Sequence, residues 1–208
     1  NNRELAKEKD SFIENIADNT PGFIYKVSMD PDGDIRFLYI SKGVESLYGY
    51  TPEEVLSQPE IMVDGIYEED REIFNQKIME SFSTLNTFLI QHRIKDREGK
   101  IKWLEATSSP RKQKDGSVIW TGIANDITEL KVKEEELRES EQKFRKFFDE
   151  APFAFILAES ENGIIQDVNQ KAVELFGRAK DEFTGMHHTR LHPEGEWENA
   201  ILRFHKRP

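Results

Sequence analysis

The sequence predicts an α+β fold, an antiparallel sheet with short helices on one face, and three observations predict it. Between residues 23 and 124, short runs follow the order strand, strand, several helices, strand, strand, strand. The breaks between neighbouring strands carry Asp, Pro and Gly, the residues of tight turns. The pattern also begins a second time near residue 148, so the architecture is repeated along one chain.

Residues 4–17 read as a helix with Leu5, Phe12 and Ile16 on one side, ended by "DNTPG". "FIYKV" and "IRFLYI" flank the turn "DPDGD" and predict a hairpin. "SKGVESLYGY" predicts a short helix. "TPEE" opens another, with Thr51 as cap, Pro52 in the first helical position and Glu54 completing a capping box. A longer helix is expected from Glu68 to Ser83, burying Ile73, Phe74, Ile78 and Met79. In the last three strands, Phe88, Ile90, His92 and Ile94 share one face, Ile101, Trp103 and Glu105 another, and "SVIWTGIA" is apolar or small almost throughout. Their turns, "DREGK" and "KQKDGS", place Gly where positive φ is expected. A long charged helix follows, with Asp126 as its expected N-cap and Glu129 in the capping-box position. Leu130, Leu137 and Phe144 recur every seven residues along it, but the intervening seam positions are polar, so half of a coiled-coil seam is present.

The repeat pairs three patches in order. "ADNTPGFIYKV" lies over "FDEAPFAFILA", "ISKGVESLYGYTPEEV" over "VNQKAVELFGRAKDEF", and "YEED" over "HPEG". The second patch matches Leu47 with Leu175, Tyr48 with Phe176, Gly49 with Gly177 and Glu54 with Glu182.

Composition removes several function classes. A net charge of -11 repels nucleic-acid backbones and anionic lipid, leaving only the short basic tail "RFHKRP". With no cysteine, disulfides, thiolate metal sites and cysteine nucleophiles are impossible. No stretch approaches the ~20 apolar residues of a membrane span, and the N-terminus lacks a signal-peptide core, so a soluble cytoplasmic chain is expected.

These residues carry a family likeness. Residues 11–130 resemble a PAS domain with its C-terminal PAC segment, through "YISKGVESLYGYTPEEV", "YEEDREIF" and "IKWLEATSSPRKQKDGSVIWTGIANDIT" with Asp126, Ile127 and Thr128 at its end. From about residue 141 the chain resembles the N-terminal part of a second PAS domain, through "DVNQKAVELFG" and "HPEG". The resemblance implies a five-stranded sheet with a helical bracket that binds a small ligand or dimerises. Such modules relay the change through flanking helices to a kinase, cyclase or phosphodiesterase.

The expected division is a flanking helix over 1–17, a complete PAS domain over 18–126, a connecting helix over 127–147 and a partial PAS domain over 148–208. Only 13 residues follow "HPEG" in the second copy, so the chain reads as a fragment of a longer sensor. An output domain, with a histidine kinase foremost, is expected outside it. No phosphate-cradling glycine loop with its lysine occurs in the chain.

Candidate pocket residues are Phe23, Tyr25, Tyr39, Leu47, Ile78, Ile90, His92, Trp103 and Trp120, which either line a cavity or fill a core. Candidate relay residues are Asp126, Ile127, Thr128, Leu130, Leu137 and Phe144. A flavin-cysteine adduct, used by one PAS subclass, is impossible without cysteine. Haem would have only His92 as an axial ligand in the first copy, which favours a core histidine. The run "HHTRLHPEGE" offers His187, His188, His192 and Glu194 for zinc, but Pro193 and the likeness place it in a loop. Three readings follow: a sensory and dimerising module, a ligand-free interaction scaffold, and a zinc-dependent hydrolase as the least favoured. The first expects a small-molecule ligand or a homodimer, with no nucleic acid and no membrane contact.

Overall fold

In the computed structural model residues 21–197 are described, and the helix expected over 1–17 lies outside them. The chain divides into two compact units, residues 1–133 and 134–208.

The first unit contains β1 (Gly22–Met29), β2 (Ile35–Ile40), α1 (Gly43–Tyr48), α2 (Pro52–Ser57), α3 (Glu60–Asp64), α4 (Arg71–Thr84), β3 (Phe88–Lys95), β4 (Ile101–Lys112) and β5 (Val118–Asp126). The strands form one antiparallel sheet in the order β2-β1-β5-β4-β3. The predicted α+β class, five strands and all three hairpin turns are therefore present, and Gly33, Gly99 and Gly116 adopt φ of 95°, 86° and 89°. Thr51, Pro52 and Glu54 form the predicted cap of α2, with reciprocal bonds of 3.2 and 2.8 Å.

Three helical or strand expectations need correction. Residues Glu68–Asp70 form a 3-10 turn, and α4 starts at Arg71. Its inward side is Phe74, Ile78, Ser81 and Phe82, while Ile73 and Met79 are exposed. That inward set follows i, i+4, i+7, i+8 spacing, and Ser81 belongs to it because its hydroxyl is satisfied inside. On β4, Ile101, Trp103 and Glu105 do share a face, but it is the outer one: Leu104, Ala106 and Ser108 are the buried residues. A period of two makes these the only alternatives. Pro110, which has no N–H to donate, sits beyond Ser108, where β3 no longer pairs with β4.

Two glycines let α1 close over the sheet. A Cβ on Gly43 would stand 1.8 Å from the carbonyl oxygen of Gly22, so backbone meets backbone there. Lys102 locks the other end of α1, its ammonium donating to the carbonyls of Ser46 (2.9 Å) and Leu47 (2.8 Å) and pairing with Asp96 at 3.0 Å.

Helix α5 runs from Thr128 to Glu150. Asp126 closes β5, its N–H donating to Pro21 O, while its Oδ1 accepts from Thr128 N at 2.8 Å. The expected capping box does not form, because the Glu129 carboxylate takes Lys133 one turn on.

The second unit holds β6 (Ile156–Ala158) and β7 (Ile165–Val168) as an antiparallel pair, then α6 (Gln170–Phe176) and α7 (Lys180–Phe183). Residues His188–Leu191 and Glu194–Glu196 form 3-10 turns where a loop was expected. The repeat is structural as well as sequential. Gly49 and Gly177 both end their helices in the left-handed region. Ser41 Oγ accepts from Ile24 N (2.9 Å), and in the matching place Asn169 Oδ1 accepts from Phe155 N (2.8 Å). Burial separates the copies: Leu47 is 3% exposed and its counterpart Leu175 is 70% exposed.

Candidate functional site

A cavity of about 110 Å³ lies between the inner face of the first sheet and its helices. Of the residues proposed from sequence, Phe23, Tyr25, Ile78, His92 and Trp120 line it. Leu47 and Ile90 are buried in the surrounding core without reaching it, and Tyr39 on edge strand β2 is half-buried away from it. Trp103 does not belong to the pocket, since it stands on the opposite face of the sheet. Among the lining residues not proposed for the pocket are Phe74, which the sequence put only on the buried side of its helix, and Ser108. Ser108 was visible in principle, because it continues the Leu104, Ala106 alternation.

The lining is apolar except at a few points. Trp120 donates its indole N–H to Ser81 Oγ (2.9 Å), and Ser81 donates to Asn86 O (2.7 Å), so this pair is satisfied. Burial raises the Tyr25 and Tyr48 phenols above their usual range, leaving both neutral. His92 is 3% exposed and its Nδ1 has no hydrogen-bond partner. Its ring meets Phe74 edge to face at 5.0 Å. Burial lowers its pKa to about 4, against the opposing pull of the Asp70 charge, so the imidazole is neutral at pH 7. The Ser108 hydroxyl is oriented toward the Tyr25 phenol without reaching hydrogen-bond geometry, and it makes no other bond.

The residue after His92 points outward and starts a chain of contacts. Arg93 donates its backbone N–H (2.7 Å) and Nε (3.1 Å) to Asp70 Oδ2, which holds the Asp70 carboxyl below its usual range. Its guanidinium lies over the Tyr67 ring at 4.4 Å and the Trp103 ring at 5.6 Å. The Trp103 ring in turn meets Lys131 of α5 at 5.7 Å, while its backbone N–H donates to Thr128 Oγ1 (2.9 Å) and its backbone carbonyl accepts from Ile127 N (2.9 Å). The predicted relay residues Asp126, Ile127 and Thr128 therefore meet at one junction, and Trp103 joins them there. Leu130, Leu137 and Phe144 are all about half exposed or more along α5.

In the second unit, the His187 and His188 rings stack at 4.7 Å, and His187 Nδ1 faces Thr189 Oγ1 at 2.8 Å. Among the described residues no three His, Cys, Asp or Glu side chains are grouped to hold a metal ion. Nor, among them, is any helix long and apolar enough to cross a membrane.

Comparison with known proteins agrees with this geometry. Residues 37–124 match the PAS fold family model and residues 142–205 a PAS domain model, together more than half of the chain. The chain belongs to the PAS family, and it is a sensory signal-transduction module. PAS domains are sensory and not catalytic. An uncharacterized protein of Sinorhizobium fredii, y4lL, is 27% identical over 84% of this chain and 20% of its own length. A blue-light-activated histidine kinase of Brucella anthropi is 33% identical over 42% of this chain and 17% of its own length. A solved sensory box histidine kinase/response regulator from Burkholderia thailandensis is 19% identical, with a TM-score of 0.46, over 59% of this chain and 91% of that one. The chain spans about a fifth of the length of the curated relatives it matches.

Proposed function

We propose that the first unit senses a small molecule in its cavity and reports it to α5 through Trp103. The single observation that carries this reading is the junction: neighbouring residues of β3 face the cavity (His92) and the outer contacts (Arg93), and Arg93 reaches α5 through one aromatic ring. An occupant that moves β3 by a fraction of an ångström acts on both at once. The expected division into a complete sensing domain, a connecting helix and a partial second PAS domain suits that flow. The output domain lies elsewhere in a longer protein, and the Brucella relative's name suggests a histidine kinase.

That relative is blue-light-activated, but the residues here do not fit a cysteinyl flavin, since the chain has no cysteine. A cavity of about 110 Å³ also falls below the ~300 Å³ at which pockets begin to hold drug-sized molecules, so haem and flavin do not fit it.

The test is Thr128→Val and Asp126→Ala in the intact parent protein, with output and Tm measured together. The expected result is a change in basal or ligand-stimulated output with less than about 1 kcal/mol of stability lost. Unchanged output in both variants overturns the relay. A second reading, pairing of two chains along α5, is favoured by the exposed heptad positions Leu130, Leu137 and Phe144. Sedimentation of Leu137→Glu against the unsubstituted chain decides it.

A further inference from the structure

Resting on the reading that the cavity holds a small molecule, we infer that its ligand is a compact, uncharged and mostly apolar molecule with one hydroxyl-type group, seated on His92 Nδ1.

The size comes from the cavity. An apolar cavity of ~150 Å³ holds the six carbons of benzene, so about 110 Å³ takes on the order of four to five non-hydrogen atoms. The charge comes from the lining. No Lys, Arg, Asp or Glu lines the cavity, and an ion placed there would have no counter-charge. The polar group comes from His92. Buried polar atoms normally have partners, and this ring nitrogen, on a side chain 3% exposed, has none. A hydroxyl suits it because it donates to one imidazole tautomer and accepts from the other.

Ser108 is the other unsatisfied atom, but it does not compete for the same head group. Along β4 it lies four residues from Leu104, the partner of His92, which separates the two positions by roughly 13 Å along the sheet. The Ser108 hydroxyl also faces the Tyr25 phenol, whereas Nδ1 faces no side chain able to answer it. The head group therefore belongs at the β3 end, next to Phe74, with the body lying toward Ala106 and Trp120.

The test compares 1-butanol with 1-chlorobutane, each of about five non-hydrogen atoms, by titration calorimetry on the full 208-residue chain. A cavity with no partner for the hydroxyl would bind butanol roughly tenfold or more weakly than chlorobutane. The expected result is butanol at least as tight as chlorobutane, with the preference reversed in His92→Leu and kept in Ser108→Ala. Chlorobutane binding with butanol tenfold weaker overturns the hydroxyl assignment and leaves the cavity reading standing. Binding of neither probe overturns both. Loss of butanol preference in Ser108→Ala but not in His92→Leu would move the head group to the wrong end and refute the assignment to His92. The comparison on the unsubstituted chain decides the matter even if a variant fails to fold.

Discussion

His92 makes the stability of the first unit depend on pH in a window where few other groups titrate. Its folded pKa of about 4 stands below the ordinary 6.5, so between those values the unfolded chain binds the proton and the folded chain does not. Stability is therefore full above pH 6.5 and falls as the pH drops toward 4. The gap between those two values corresponds to about 3 kcal/mol, or roughly 1.4 kcal/mol per pH unit inside the window. His92 is the one histidine in residues 1–133. Its charged neighbour Asp70 also has a lowered pKa, with the Arg93 hydrogen bond as the largest cause, but that contribution is lost only at more acid pH. The assay is urea unfolding followed by tryptophan fluorescence at pH 7, 6 and 5, in a Trp197→Phe background that leaves Trp103 and Trp120 as reporters. Replacing His92 with Phe should flatten the slope between pH 6.5 and 5 while leaving the steeper carboxylate-driven loss below it. Parallel slopes in the two proteins would refute the argument, as would an NMR titration that finds the His92 ring protonated at pH 5.5.

Other expectations follow from single contacts. Asn169, fully buried, donates to Phe148 O (2.9 Å) and Phe153 O (2.8 Å) and accepts from Phe155 N and Ala172 N. Asn169→Ala should cost roughly 3 kcal/mol and erase amide-exchange protection over residues 155–172 before it touches the first unit. Lys102→Met leaves the Ser46 and Leu47 carbonyls and the Asp96 carboxylate without their ammonium, and should lower stability by roughly 2 kcal/mol in chemical denaturation. Gly43→Ala drives a methyl into the Gly22 carbonyl and should cost more than about 2 kcal/mol, whereas Gly177→Ala, with open space around it, should cost only the backbone strain of its positive φ, about 1 kcal/mol.

Much of the fold was legible because local chemistry and tertiary need agree there. The turns at Gly99 and Gly116, the Thr51–Glu54 cap and the inward set Phe88, Ile90, His92, Ile94 all follow from spacing of neighbouring residues. The site was legible in part. Phe23, Tyr25, Ile78, His92 and Trp120 reach the cavity as expected, but Trp103 does not, because "KIKWLEATS" offers two alternating sets of similar character. Apolarity favours Trp103 inward, whereas the small Ala106 and Ser108 leave room for Trp120 and the cavity. Choosing between the sets requires the partner strands.

The order of elements, the repeat, the absence of thiol chemistry and the anionic surface were determined by the amino-acid sequence itself, since each depends on residue identity and short-range spacing. Only tertiary structure decided which face of β4 is buried and that His92 Nδ1 is left without a hydrogen-bond partner. It also decided that Trp103 bridges Arg93 and the first turn of α5. The physical reason is the same in each case. Burial and hydrogen-bond satisfaction are properties of strands brought together from residues 22 to 126, and no single segment carries the information about its neighbours.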